Sequence, residues 1–225
     1  MPKLILVLVA TACALAVVAC GGNTPSAPAP AKEPAGEGAA ADAPLVVFLG
    51  DSLTAGYGLA EEQAFPSLVQ NALAERGVPV RIVNAGVSGD TTAGGVSRLD
   101  WLLRQAPDVI VVELGANDGL RGLPLEMSER NLREIVTRSL DAGAQVLLVG
   151  MKIPPNYGPV YTSGFEKIFP RLADELDVPL MPFLLEGVAA DPNLNLPDGI
   201  HPNAEGQRRV AANVLPHLES ILVQM

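Results

Sequence analysis

From Leu45 to the C-terminus, short apolar runs alternate with longer segments whose apolar residues recur at helical spacing, and no internal repeat breaks the series. The runs predict strands at 45–49, 79–84, 108–114, 144–150 and 179–183. They lack the in/out alternation of a sheet with one wet face, which is the pattern of strands covered on both faces in a parallel sheet. Between the first two, Phe65, Leu68, Val69, Ala72 and Leu73 fall on one stripe, with Glu61 and Glu62 near its start and Gly77 past its end. That spacing predicts a helix of about four turns. Leu132, Ile135, Val136 and Leu140 repeat the stripe before Gly143, and Val210, Val214, Leu218 and Ile221 do so near the C-terminus. Pro216 should bend that last helix, because it removes an amide donor and crowds the preceding turn. The order β-α-β-α-β implies an α/β sandwich with helices on both faces of the sheet. In such sheets ligands sit beyond the carboxyl ends of the strands, where strand order reverses.

The residues that follow the strands therefore matter most. After the first comes Gly50-Asp51-Ser52-Leu53, after the second Asn84-Ala85-Gly86-Val87-Ser88-Gly89, and after the third Gly115-Ala116-Asn117-Asp118. Asp198-Gly199-Ile200-His201-Pro202 stands near the end. Serine-based acyl transfer needs a hydroxyl, a base within hydrogen-bond reach, a carboxylate to orient the base and donors for the oxyanion. Ser52 is the candidate hydroxyl. Of the two histidines, His217 lies on the C-terminal helix beside Pro216 and reads as a surface residue, which leaves His201 as base. Asp198 can reach its other ring nitrogen, although Asp-x-x-His could equally be a helix entry. Gly86, with no Cβ in the way, Asn117 through its side-chain amide, and the Ser52 amide are the candidate oxyanion donors. Singly each has a plainer use: a turn, a loop cap, a helix N-cap. Asp51 and Asp118 read as structural, hydrogen-bonding the loops.

Together these residues resemble the GDSL or SGNH hydrolases, named for the Ser, Gly, Asn and His of four blocks. "GDSL" (50–53) matches the first block, Gly86 in "NAGVSGDTT" the second, "GAND" (115–118) the third and "DGIHP" (198–202) the last. Within that family the chain is most similar to bacterial arylesterases and the multifunctional thioesterase/lysophospholipase group, judging also by "DSLTAGYG", "KIPPNYG" and "DVPLMPF". The resemblance implies a three-layer α/β/α sandwich with a five-stranded parallel sheet of order 2-1-3-4-5. It also implies Ser52 as nucleophile, His201 as base, Asp198 as its partner, and Ser52, Gly86 and Asn117 as oxyanion hole, with no cofactor. Ala116 stands where some of these relatives carry a second glycine, a departure that narrows the pocket and keeps the Asn. A Gly-x-Ser-x-Gly elbow is absent from the sequence, which argues against the α/β-hydrolase fold. No His-rich or Cys-rich cluster at ligand spacing suggests a metal.

The N-terminal segment reads differently. Lys3 precedes an apolar run from Leu4 to Ala19, the layout of an export signal, and the run is short for a span of about 20 apolar residues. Val17-Val18-Ala19-Cys20 resembles the bacterial lipoprotein box, so residues 1–20 are expected to be a signal ending at Cys20, which would carry lipid. A plain membrane anchor or an ordinary cleavable signal are the alternatives. Residues 21–44, rich in Ala, Pro and Gly, read as a disordered tether, and 45–225 as the catalytic domain. The expected location is the cell envelope, at the periplasmic face of the outer membrane, because Gly21 and not Asp follows Cys20. A net charge of −10 with scattered basic residues argues against a nucleic-acid partner.

The expected function is hydrolysis of carboxylic esters, whether aryl, acyl or lysophospholipid-type, through an acyl-enzyme. Thioesterase activity would be a side activity, since coenzyme A is cytosolic. The segment 151–165, "MKIPPNYGPVYTSGF", is a candidate wall or lid for an acyl chain or an ordinary long connection. The competing readings are an O-deacetylase of envelope polysaccharide and a non-catalytic lipid-binding lipoprotein. Aromatic residues make up only 4% of the chain, which disfavours a sugar site built on stacking rings.

Overall fold

Leu45, Val46, Val47, Phe48 and Leu49 are all buried, and the strand they build is an interior strand of the sheet, paired on both edges. The computed structural model describes residues 42–225. The expected signal, Cys20 and nearly all of the expected tether lie outside the described residues. The strands are β1 (Leu45–Gly50), β2 (Arg81–Gly86), β3 (Val109–Glu113), β4 (Gln145–Val149) and β5 (Leu180–Met181), hydrogen-bonded in the order β2-β1-β3-β4-β5 and all parallel. β1 pairs with β2 from Leu45 opposite Arg81 to Gly50 opposite Gly86, and with β3 from Val46 opposite Val109 to Gly50 opposite Glu113. Strand order thus reverses between β1 and β3, and a crevice opens beyond their carboxyl ends.

Two layers of helix cover the sheet. α1 (Ser52–Ala55) is a single turn; α2 (Phe65–Glu75) packs on α8 (Ala204–Leu222) on one side. On the other, α5 (Leu125–Asp141) packs on α3 (Thr92–Leu103) and α7 (Ile168–Leu176), while α4 (Ala116–Leu120) and α6 (Pro159–Glu166) are short. This is the expected three-layer α/β/α sandwich. Phe48 of β1 meets Phe65 of α2 edge to face at 5.5 Å, and each is fully buried. Burying a side chain of that size contributes about 1.5–3 kcal/mol.

The structure moves several boundaries. β2 begins and ends two residues later than expected, and β5 holds only Leu180 and Met181. α2 spans three turns and not four, since Glu61–Gln63 forms a separate 3₁₀ turn and Ala64 is extended before Pro66. α8 runs through Pro216 as one helix. β2 lies at the sheet edge, and its residues are mostly half-buried, unlike those of β1 and β3. The folded unit starts just before Leu45, because Ala43 is buried and the Pro44 carbonyl accepts the Arg81 amide at 2.9 Å. Among the described residues no helix is long and apolar enough to cross a membrane.

Candidate active site

The end of β1 explains why an apolar strand stops at Gly-Asp-Ser. A Cβ on Gly50 would stand 2.0 Å from Thr54 Oγ1 and 2.6 Å from Glu113 Oε2, so only glycine lets the chain turn there. Asp51 then caps α1, its Oδ1 accepting the Leu53 amide at 3.0 Å. Ser52 is the first residue of α1 and faces the crevice at 9% exposure.

β3 delivers the second group. Past Glu113 and Gly115, α4 carries Asn117, whose Nδ2 donates to Asp51 Oδ2 at 2.9 Å. One amide hydrogen is thereby used and the other remains. Asp118, fully buried, accepts from the Thr92 amide, the Thr92 hydroxyl and the Ser128 hydroxyl, which pins α4 to α3 and α5.

The third group arrives from the loop before α8. His201 Nε2 lies 2.9 Å from Ser52 Oγ, and its Nδ1 lies 2.8 Å from Asp198 Oδ2. Asp198 Oδ1 also accepts the amides of Ile200 and His201, each at 3.0 Å. Those bonds hold the Asp198 carboxyl at about 2, led by the Ile200 amide, then the imidazole. The helix that follows is capped by Asn203, which accepts from Glu205 and Gly206, so Asp198 is not the cap of α8. With Asp198 ionised, Nδ1–H points to it and Nε2 is free to accept the serine proton. His217 is half-buried on α8, away from this cavity.

The expectation for Gly86 needs correction. Gly86 ends β2, its amide donates to Asn84 Oδ1 at 3.0 Å, and a Cβ there would meet the Ala55 amide nitrogen at 2.3 Å. It packs under α1 and does not line the cavity. Gly89, at φ +80°, does line it, beside Ser88. Among the described residues no acceptor takes its amide, while its carbonyl accepts Arg121 Nη2 at 2.8 Å. β2 runs two residues past the 79–84 expected from the sequence, so Gly86 belongs to the strand and Gly89 is the first glycine of the loop.

Two acids beneath Ser52 had no assigned chemistry. Glu113 is fully buried; its Oε2 accepts from Thr54 Oγ1 at 2.7 Å and from the Asp51 amide at 3.3 Å, and among the described residues Oε1 has no partner. Burial, then the Asp51 charge, pushes its carboxyl well above the carboxylate range. Burial likewise lifts Asp51 to about 6. Arg98 braces the same corner, donating to Asp90, the Ala85 carbonyl and the Gly50 carbonyl.

The cavity measures about 640 Å³ and its walls are mainly apolar, with Leu120, Met151, Ile153, Phe183 and Leu185 around the polar floor. Met151 to Pro155, the first part of the segment 151–165, form part of the wall. Tyr157 and Tyr161 tie that segment down by donating to the Leu120 and Leu123 carbonyls, each at 2.7 Å. Among the described residues no three His, Cys, Asp or Glu side chains gather as metal ligands.

A model of the GDSL-like lipase/acylhydrolase family matches residues 48–209, which spans Ser52, Gly89, Asn117, Asp198 and His201. The chain belongs to that family. It is 44% identical to an arylesterase of Vibrio mimicus over 77% of this chain and 87% of that one. It is 43% identical to esterase TesA of Pseudomonas aeruginosa over 81% and 91%. Thioesterase 1/protease 1/lysophospholipase L1 of Escherichia coli is 41% identical over 81% and 87%. Among solved structures, the crystal structure of TesA matches with a TM-score of 0.76 at 41% identity, over 79% of this chain and 99% of that one. The psychrotrophic esterase EstA from Pseudoalteromonas matches equally at 0.76, with 35% identity over 80% and 98%. This GDSL hydrolase therefore acts on ester bonds.

Proposed function

We propose that the protein is a serine esterase of carboxylic esters working through a Ser52-His201-Asp198 triad and an acyl-enzyme. The observation that carries this reading is the unbroken chain Ser52 Oγ, His201 Nε2, His201 Nδ1, Asp198 Oδ2, with links of 2.9 and 2.8 Å. His201 takes the Ser52 proton as the oxygen attacks the carbonyl carbon. The tetrahedral oxyanion meets the Ser52 amide, the Gly89 amide and the remaining Asn117 amide hydrogen. Collapse expels the alcohol, protonated by His201, and water then releases the acid with His201 as base again. Asp198, held at about 2, stays ionised throughout and favours the imidazolium formed in each step.

The apolar wall of Leu120, Met151, Ile153, Phe183 and Leu185 favours acyl chains or aryl groups over the acetyl group of a hydrated glycan. Aryl esters, acyl esters and lysophospholipids are the proposed substrates, with thioesters as a side activity. The names of the relatives support that range. We further propose that the protein is exported and anchored by lipid on Cys20 to the periplasmic face of the outer membrane. The sequence around Cys20 supports that proposal.

Replacing Ser52 by Ala should abolish hydrolysis of chromogenic aryl esters, with thermal unfolding unchanged. Normal turnover by a folded Ser52→Ala protein would overturn the assignment. Comparing short and medium acyl esters with acetylated polysaccharide, by acid released, separates the esterase from the deacetylase.

A further inference from the structure

Tyr57 is an aromatic residue left half in water, 50% exposed, at the mouth of the cavity. Its ring lies against His201, with centroids 4.5 Å apart and planes inclined by 34°. Among the described residues its hydroxyl makes no hydrogen bond, so the ring face is the part engaged with the protein. The backbone explains why the ring reaches the base. Gly56 turns through φ +70°, and the Tyr57 amide donates to the Ser52 carbonyl at 3.0 Å, which fastens Tyr57 to the nucleophile's own turn.

His201 needs such a support. It comes from a loop in which Pro197, Asp198, Gly199 and Ile200 are all exposed. Its two hydrogen bonds leave through Nδ1 and Nε2, on opposite sides of the ring. They fix the line along which the imidazole lies but resist rotation about that line only weakly. A ring pressed on one face removes that freedom. The same face attracts the cation that forms when His201 takes the serine proton, since a cation within about 6 Å of an aromatic centroid is favoured.

We propose that Tyr57 is a positioning residue for the base: its ring, carried on the nucleophile's turn, sets the plane in which His201 Nε2 meets Ser52 Oγ. The proposal rests on the assignment of Ser52 and His201 above. Its test uses the full-length protein with Tyr57→Phe and Tyr57→Leu, read by kcat and KM for a small aryl acetate and by the rate at which a small alkyl fluorophosphonate modifies Ser52. The Leu variant should lose between about ten- and a hundredfold in kcat and in modification rate, the range that misplacing a catalytic group produces, with KM nearly unchanged. The Phe variant should recover wild-type values. In a His201→Ala background, Tyr57→Leu should change the modification rate no further. Tyr57→Gln, suited to a half-exposed position, repeats the test should the Leu variant fold poorly. Normal kcat with raised KM would make Tyr57 a wall for substrate, and an equal loss with and without His201 would show that it acts elsewhere; either overturns the proposal. A failure of the underlying assignment looks different, because wild-type protein would then lose no activity on reaction with the fluorophosphonate.

Discussion

Burial lifts the Asp51 carboxyl from its ordinary 3.8 to about 6, and yet its oxygens accept from the Leu53 amide and from Asn117 Nδ2. A carboxyl whose folded pKa is raised contributes stability below its unfolded pKa and loses it as pH rises through the folded value. Relative to wild type, Asp51→Asn should therefore become progressively more stable between about pH 4 and pH 6, then level off, as measured by urea denaturation across that range. Asp198 has the opposite sign: its carboxyl is lowered from 3.8 to about 2, so its contribution is present at neutral pH and is lost as pH falls from about 3.8 to about 2. Asn117→Ala removes one proposed oxyanion donor and should lower kcat by about 10² to 10³; it also takes from buried Asp51 Oδ2 its amide partner, so unfolding free energy should fall by about 1–3 kcal/mol, read by urea denaturation. At this scale Ser52, Asn117, Asp198 and His201 were legible in the sequence, because each is a distinctive side chain directly after a strand or in a short turn. Glu113 was not. It reads as one more strand residue in "DVIVVEL", and only the fold puts it under Thr54 and Asp51.

The elements carry a different lesson. β1 and β3, buried at every residue, were nearly in their predicted places, because a central parallel strand needs a continuous apolar run. β2 is an edge strand containing Asn84 and two residues with short side chains, Ala85 and Gly86, so its end carried no apolar signal. Nothing in the sequence there separates Gly86, a strand residue, from Gly89, the glycine of the cavity. α3 also escaped the periodicity, since "TAGGVSRLDWLL" places two glycines in its first turns and leaves Trp101 58% exposed. The structure makes Gly86 a packing glycine, and that is testable. Gly86→Ala drives a Cβ to 2.3 Å from the Ala55 amide nitrogen, so α1 must shift. We expect a loss of about 1–3 kcal/mol in unfolding free energy, read by denaturant titration. Kinetic loss should follow from the displaced Ser52 alone, with both effects absent in a Val87→Ala control at an exposed neighbour.

In the whole molecule the reversal of strand order between β1 and β3 gathers what the chain separates. Ser52 and Asn117 lie on the short helices that follow those two strands, and the loop before α8 brings His201 across 149 residues to meet Ser52. The apolar cavity opens from this corner, so in the proposed mechanism one crevice supplies both the reacting groups and the apolar wall against which an acyl or aryl group would lie. If Cys20 carries lipid, Cys20→Ser should move the protein from the membrane to the soluble fraction of cells while the specific activity of the released enzyme on soluble aryl esters stays the same. The role proposed for Ser52, activated by His201, is that of nucleophile in ester hydrolysis. It is tested most directly by treating the enzyme with one equivalent of an alkyl fluorophosphonate and locating the adduct by peptide mass spectrometry. A single adduct on Ser52 is expected, its extent equal to the loss of activity; full esterase activity in protein already modified at Ser52, or inactivation with the adduct on another residue, would rule that role out.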